Sequence, residues 1–155
     1  MKTIKVHVNA YEDLVEYYNP ERLNLNLGDY ILREIEHESL KEEIELEFLL
    51  DFDCGKREYK TIETMIRNYF ELELKNNKTE KTHYYNKSMI LVTFGTLLFL
   101  VSYFFDGFLM DILDLSAWVL LWEAIYHLVF EQYSMRIASK KYHSLLKANI
   151  KFERV

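Results

Sequence analysis

The feature that most constrains this chain is a run of eighteen residues without a charged side chain, SMILVTFGTLLFLVSYFF, at positions 88–105. A helix of about 20 apolar residues crosses the roughly 30 Å of hydrocarbon in a bilayer. The run lies in mid-chain, and no basic segment followed by an apolar one precedes it, so we do not expect a signal peptide. A chain of 155 residues has little other material to bury such a helix. We predict a membrane crossing, and a buried core helix is the alternative.

A second apolar run, ILDLSAWVLLWEAIYHLVF at residues 112–130, follows after the short connection DGFLMD. It is apolar apart from Asp114, Glu123 and His127, and its aromatic side chains are of the kind found at membrane interfaces. We expect a second crossing here, and a re-entrant or interfacial helix is the alternative.

Basic residues flank the two runs, whereas the connection between them has no Lys or Arg and is acidic. Because basic flanks stay on the cytoplasmic side of a membrane, we expect both termini in the cytoplasm and the acidic turn outside. A helical hairpin also satisfies its own backbone hydrogen bonds, as lipid demands. These features predict a protein of the plasma membrane with both termini in the cytoplasm. The flanking residues are Lys78, Lys81 and Lys87 before the first run, and Arg136, Lys140, Lys141 and Lys147 after the second.

The remainder of the chain carries strand patterns. Apolar and polar side chains alternate over residues 3–8 and again over residues 43–50, where glutamates are expected to face outward. The same alternation returns in residues 150–155. We expect this last segment to pair with the N-terminal sheet, and a frayed tail is the alternative.

Helix signals lie between the predicted strands. Asn9 is expected to start a short helix that continues to about Tyr18, Asn26 to cap a second helix, and a longer helix to begin near Arg57. The predicted fold is an α+β cytosolic domain, with a small sheet of about three strands and helices, plus a transmembrane α-helical hairpin. The expected segments are 1–75 for the cytosolic domain, 76–87 for a stalk or hinge helix, 88–133 for the hairpin, and 134–155 for a basic helix and the returning strand.

Polar residues recur every three or four positions along the second run, which places them on one face of a helix. Ionisable groups at membrane depth are costly unless they are paired or wetted. They therefore predict either the lining of a pore between several copies or a structural pairing within a helix bundle. Glu123 and His127 are four residues apart and could ligate a metal, but two ligands are too few, and we predict no metal site. The predicted pore-lining residues are Ser116, Glu123, His127 and Glu131, and the predicted outer mouth is Asp111 and Asp114.

A second candidate site is basic. Its residues are expected to bind an anionic ligand such as a phosphate or an anionic lipid, and a solvated helix face with the usual cytoplasmic bias is the alternative. Residues 1–75 carry 10 Lys/Arg against 18 Asp/Glu, which argues against broad nucleic-acid binding. The single cysteine, Cys54, excludes a disulfide framework within one chain. We find no phosphate-binding glycine loop, serine elbow or kinase signature, so we expect no enzyme and no cofactor. The basic set is Lys56, Arg57, Lys60, Arg67, Lys140 and Lys141.

Two patches carry a resemblance. The segment WVLLW at residues 118–122, followed by Glu131 and a basic helix, resembles the second crossing of an uncharacterised bacterial family of two-crossing membrane proteins with a W-V-x-x-W motif. The segment IRNYF at residues 66–70 resembles one that precedes the first crossing in that family. The chain departs from the family pattern at Glu123 and Ala124, where relatives tend to carry Arg and Pro. The family implies a membrane topology and no activity.

More loosely, the architecture is similar to small two-crossing effectors of bacterial anti-phage systems, such as a Hailong-type channel effector. This resemblance implies a homo-oligomer that permeabilises the inner membrane under the control of its cytosolic domain. We therefore predict an oligomeric channel-like effector in antiviral defence, whose partners are the lipid bilayer, other copies of the chain, and a cytosolic regulatory protein or nucleotide-type ligand. The alternative is a membrane-anchored structural or adaptor protein that recruits a cytosolic partner without conducting ions.

Overall fold

A computed structural model describes residues 2–35 and 42–154 of the chain. The chain forms two compact units, one of Met1–Asn76 with Ile137–Val155 and the other of Asn77–Arg136. In chain order the elements are β1 (Lys2–Val8), α1 (Tyr11–Leu14), β2 (Val15–Glu16), β3 (Asn19–Leu23), α2 (Leu25–Glu34), β4 (Ile44–Leu50), α3 (Lys56–Ser102), α4 (Phe108–Tyr126), a π-helical turn (His127–Glu131), α5 (Gln132–Lys147) and β5 (Asn149–Arg154).

The first unit is built on a three-stranded parallel sheet in the order β1-β4-β5. Alternate side chains point into one core, so that Val6 lies opposite Phe48, and Phe48 lies opposite Phe152. The rings of Phe48 and Phe152 stack with centroids 5.6 Å apart. Ile62 and Ile66 of α3 are buried in the same core. The prediction of a small sheet of about three strands with helices is confirmed.

The other face of β4 is acidic, and the flanking strands neutralise it. Glu47 forms an ion pair with Lys5 of β1 at 3.1 Å, and Glu45 pairs with Lys151 of β5. The hydrogen bond to Glu45 raises the pKa of Lys151. The alternating pattern placed these glutamates on a solvent face, but Glu45 is buried, because β4 is the central strand and its neighbours cover it.

Two local predictions in this unit are wrong. The helix expected from Asn9 to about Tyr18 ends at Leu14, and an antiparallel hairpin of β2 and β3 follows. The second helix is capped by Asn24 and not by Asn26, since the Asn24 side chain accepts a 3.0 Å hydrogen bond from the Asn26 backbone N–H. Both asparagines precede the same apolar periodicity, so spacing alone did not separate them.

The stretch predicted as a stalk or hinge, residues 76–87, is helical and lies inside α3. By length and composition, residues Arg57–Ser102 form the one helix among the described residues that is long and apolar enough to cross a membrane. The 19 residues of α4 include Asp111, Asp114 and Glu123. The structure thus has one long apolar helix, and the two-helix transmembrane hairpin stays a prediction.

Candidate functional site

In the second unit, the part of α3 from Tyr84 to Ser102 runs antiparallel to α4 and the π-helical turn and contacts them at several points. Near the connection, the Ser102 hydroxyl donates a 2.5 Å hydrogen bond to Oδ1 of Asp114. At the other end, the buried Asn77 amide donates to the backbone carbonyl of Met135 at 2.9 Å. Between these two points, Gly95 lies against Leu121 of α4. Helix α3 therefore lies beside α4 near the connection and beside α5 at the opposite end of this unit.

Small residues make the helix–helix contact. Ser88, Gly95 and Ser102 are buried and recur every seven residues on α3, and Ala117 and Ala124 are fully buried on α4. A side chain at Gly95 would place its Cβ 3.0 Å from Cγ of Leu121 and 3.2 Å from the carbonyl oxygen of Ala117, so glycine lets the two backbones approach closely. The seven-residue recurrence was the signal that sequence reasoning did not use for this interface.

Large apolar side chains point away from this contact. Trp122 is 64% exposed, Leu115 68% and Leu100 62%, although each belongs to an apolar segment of its helix. The pair of helices is thus polar and small inside and apolar outside. A water-soluble helix pair has the opposite arrangement, with its apolar stripes facing each other.

The predicted polar stripe contains a cluster that bridges the two helices. Oε1 of Glu123 lies 3.1 Å from Nε2 of His127 and 3.9 Å from Nζ of Lys87 on α3. The Glu123 side chain is 52% exposed, whereas that of His127 is 7% exposed. Lys87 was expected only as a flanking basic residue, and its contact with Glu123 depends on the helix pairing.

His127 begins the π-helical turn, which interrupts the regular α-helical spacing. Its ring packs against Tyr84 of α3, with centroids 5.4 Å apart. Neither ring nitrogen has a well-aligned hydrogen bond within the described part of the chain. An unsatisfied buried polar group costs about 1–3 kcal/mol, and π-helical turns are frequent at functional sites, so His127 combines two features that point to a functional residue.

The remaining predicted pore and mouth residues lie apart from this cluster. Ser116 is exposed, and its hydroxyl donates back to the carbonyl of Ile112 at 2.8 Å. Glu131 closes the π-helical turn and is partly buried. Asp111 is exposed, whereas Asp114 is partly buried and hydrogen-bonded to Ser102. The structure therefore joins Glu123 and His127 and leaves the other four separate.

Two members of the predicted basic set bind groups of the fold itself. Arg67 donates to the carbonyl of Leu146 at 2.7 Å and pairs with Glu63. Lys141 donates to the carbonyl of Leu32 at 3.2 Å. Both cations therefore donate hydrogen bonds to backbone carbonyls at or near helix C-termini, where positive charge is favourable.

The other four members are placed differently. Arg57 and Lys60 line one cleft of the first unit, and Arg67, Lys140 and Lys141 do not line it. Lys140 is exposed on α5. The side chain of Lys56 lies outside the described residues.

Among the described residues, no group of three or more His, Cys, Asp and Glu side chains could hold a metal ion. Cys54 is partly buried, and burial raises the pKa of its thiol, which disfavours the reactive thiolate.

In comparisons with protein-family models, with curated proteins and with solved structures, nothing matches this chain.

Proposed function

We propose that this chain is an inner-membrane protein in which residues 88–102 of α3, together with α4, cross the bilayer as a hairpin, with both termini in the cytoplasm. We further propose that several copies assemble into a channel-like, membrane-permeabilising effector controlled by the cytosolic α+β unit, in the manner of the anti-phage effectors to which the predicted architecture is loosely similar. The observation that carries the proposal is the distribution of side chains on α3 and α4, small and polar between the helices and large and apolar outside.

This distribution matches a lipid environment. Lipid tails are as apolar as leucine, so membrane helices associate through small residues that allow close packing, as Gly95 and Ala117 do. In water, the exposed Leu100, Leu115 and Trp122 would each forgo most of the roughly 1.5–3 kcal/mol that full burial of a large apolar side chain contributes. The same side chains facing hydrocarbon have no such cost.

The acidic residues of α4 are compatible with a crossing. Asp111 and Asp114 belong to the first turns of α4, beside the connection between the helices. Glu123 is 15 residues from Phe108, which is about 22 Å along the helix. That position lies toward the cytoplasmic side of the hydrocarbon layer, which is about 30 Å thick. The contact with Lys87 there reduces the cost of burying the Glu123 carboxylate.

The half-exposed carboxylate of Glu123 supports an assembly. On a single hairpin, this side chain would face lipid, where a charge costs several kcal/mol. A second copy or a water-filled path would cover it. We propose that Ser116, Glu123, His127 and Glu131 line such a path, with Asp111 and Asp114 near its outer mouth.

The membrane placement is tested by extraction of cell membranes. The protein is expected to resist washing with alkaline carbonate and to need detergent for release. Reporter fusions should place both termini in the cytoplasm and the segment at Gly107 outside. A compact monomer in detergent-free buffer would remove the basis of the proposal.

The channel is tested by ion flux from liposomes that contain the purified protein. Glu123→Gln and His127→Ala should abolish flux while leaving the oligomer intact on a sizing column. Thr93→Ala is the matched control, because the Thr93 hydroxyl is exposed and bonds only to its own helix, at the carbonyl of Met89. Wild-type flux in both test variants would take these residues out of the path.

One observation favours the adaptor alternative. Tyr17 and Tyr18 form the turn between β2 and β3 and are 91% and 90% exposed. Exposed tyrosines are enriched at protein–protein contacts, so this turn could bind a cytosolic partner. A stoichiometric soluble partner that is lost in a Tyr17→Ser/Tyr18→Ser variant, together with no ion flux from the wild type, would favour this function.

A further inference from the structure

The first unit contains a cleft of about 840 Å³ beside the first turns of α3. Residues from one face of α3 form one wall, and residues of α1 and β3 form the other. We call it the basic cleft. It is lined by Tyr11, Pro20, Glu21, Arg57, Lys60, Thr61, Thr64, Met65 and Asn68.

The charge of the basic cleft contrasts with that of its surroundings. Residues 1–75 carry 18 Asp/Glu against 10 Lys/Arg, yet Glu21 is the one carboxylate among the lining residues. Within the described part of the chain, no ion pair involves Arg57 or Lys60. Arg67, by contrast, is bound by Glu63 and by backbone carbonyls. The fold therefore leaves two neighbouring cations for a ligand from outside.

The donors in the basic cleft suit an anion with several oxygen atoms. Thr61 and Thr64 donate their hydroxyl protons to the carbonyls of Arg57 and Lys60, at 3.0 and 2.8 Å, so they are occupied as donors. The free donors are the guanidinium, the ammonium, and the polar groups of Tyr11 and Asn68. A guanidinium and an ammonium one helical turn apart match the charge-assisted contacts that proteins make with phosphate.

We propose that the basic cleft binds a phosphate-bearing ligand, whose phosphate lies between Arg57 and Lys60. Tyr11 lines the opposite wall, with 39% of its surface exposed, and its ring is held edge-on by Phe52 at 6.3 Å. It offers an aromatic surface to the rest of the ligand. The inference deepens the proposed function, because it gives the cytosolic unit the chemistry of its controlling ligand. The phosphate can come from a soluble compound or from a lipid headgroup.

The test is the rate at which an amine-reactive acetylating reagent modifies Lys60, read by mass spectrometry on the full chain in phosphatidylcholine nanodiscs, or in buffer if the chain needs no lipid. Lys5, which is exposed on β1 and belongs to neither the basic cleft nor the predicted basic set, is the internal reference. One arm adds inorganic pyrophosphate, and a second arm replaces part of the lipid with phosphatidylglycerol. Because flux is not measured, a failure of the channel proposal does not affect this result.

We expect several-fold slower acetylation of Lys60 relative to Lys5 in at least one arm. Protection by pyrophosphate identifies a soluble source of the phosphate, and protection by phosphatidylglycerol identifies the lipid. Arg57→Ala should weaken the protecting probe about tenfold or more, which is the usual effect of losing one charge-assisted contact. Arg22→Ala, a cation of the neighbouring cleft, should not. No protection in either arm, or equal protection in Arg57→Ala, would overturn the proposal.

Discussion

The structural role of Arg67 can be tested quantitatively, because its guanidinium binds groups of the fold itself. Its Nη1 donates to the carbonyl of Leu146 at 2.7 Å, and its Nη2 approaches that of Ala148 at 3.4 Å. The guanidinium also binds Oε1 of Glu63 through two nitrogens, at 3.0 and 2.9 Å. Arg67 therefore ties α3 to the connection between α5 and β5.

The magnitude follows from these contacts. A charge-assisted hydrogen bond to a carbonyl contributes about 1.5–3 kcal/mol. The ion pair adds little, about 0.5 kcal/mol, because the two side chains are 37% and 40% exposed. Replacing Arg67 by methionine should thus lower the free energy of local opening by about 2 kcal/mol, which is roughly a thirtyfold change in the opening equilibrium.

The assay is hydrogen exchange of the backbone amides in Asn149–Arg154, measured by mass spectrometry on the full chain. Arg67→Met should accelerate their exchange about thirtyfold. Glu63→Gln is the matched control, since it removes the ion pair and keeps the carbonyl contacts, and it should accelerate exchange by no more than about threefold. Less than threefold acceleration in Arg67→Met, or equal effects of the two variants, would refute the structural role of Arg67.

Three further predictions concern packing and ionisation. Gly28→Ala should lower the free energy of unfolding by about 1–3 kcal/mol in chemical denaturation, because its Cβ would overlap the Tyr69 ring. Burial raises the pKa of Tyr69 to about 12, so its phenolate forms more readily in the unfolded chain. Stability should therefore fall as the pH rises from about 10 to about 12, and Tyr69→Phe should flatten that slope in denaturation measured across this range. Gly95→Leu should separate α3 from α4 and lower the melting temperature in detergent. The control Thr96→Leu, at an exposed position, should leave the melting temperature unchanged.

The parts of the fold that follow from local pattern were the ones that sequence could predict. Alternating side chains mark β4, where Leu46 and Phe48 are fully buried, and the helical spacing of Ile62 and Ile66 marks the buried face of α3. The β2–β3 hairpin was missed because its turn, Tyr17–Tyr18, has none of the Gly or Asn residues that favour two-residue hairpin turns. Asn9 is also a residue type that favours the start of a helix, so the sequence predicted a helix through the hairpin turn.

The candidate sites depended on contacts between residues far apart in the chain. Arg67 looked like a ligand-binding cation because the carbonyls that hold it are 79 and 81 residues away. The Glu123–His127 pair was predictable, since the two residues are four apart on a helix. Their neighbours Lys87 and Tyr84 were not, because no local pattern fixes how far α4 is shifted along α3.

The parallel sheet also has a consequence for biosynthesis. Its middle strand is translated early and its outer strand β5 late, with α3, α4 and α5 in between. While the ribosome makes those helices, one edge of β4 has no hydrogen-bonding neighbour, and the sheet of the first unit lacks its third strand. The first unit can complete its sheet only after α3, α4 and α5 have been synthesised. Any ligand-binding state of this unit would therefore form after the helices had the chance to insert into a membrane.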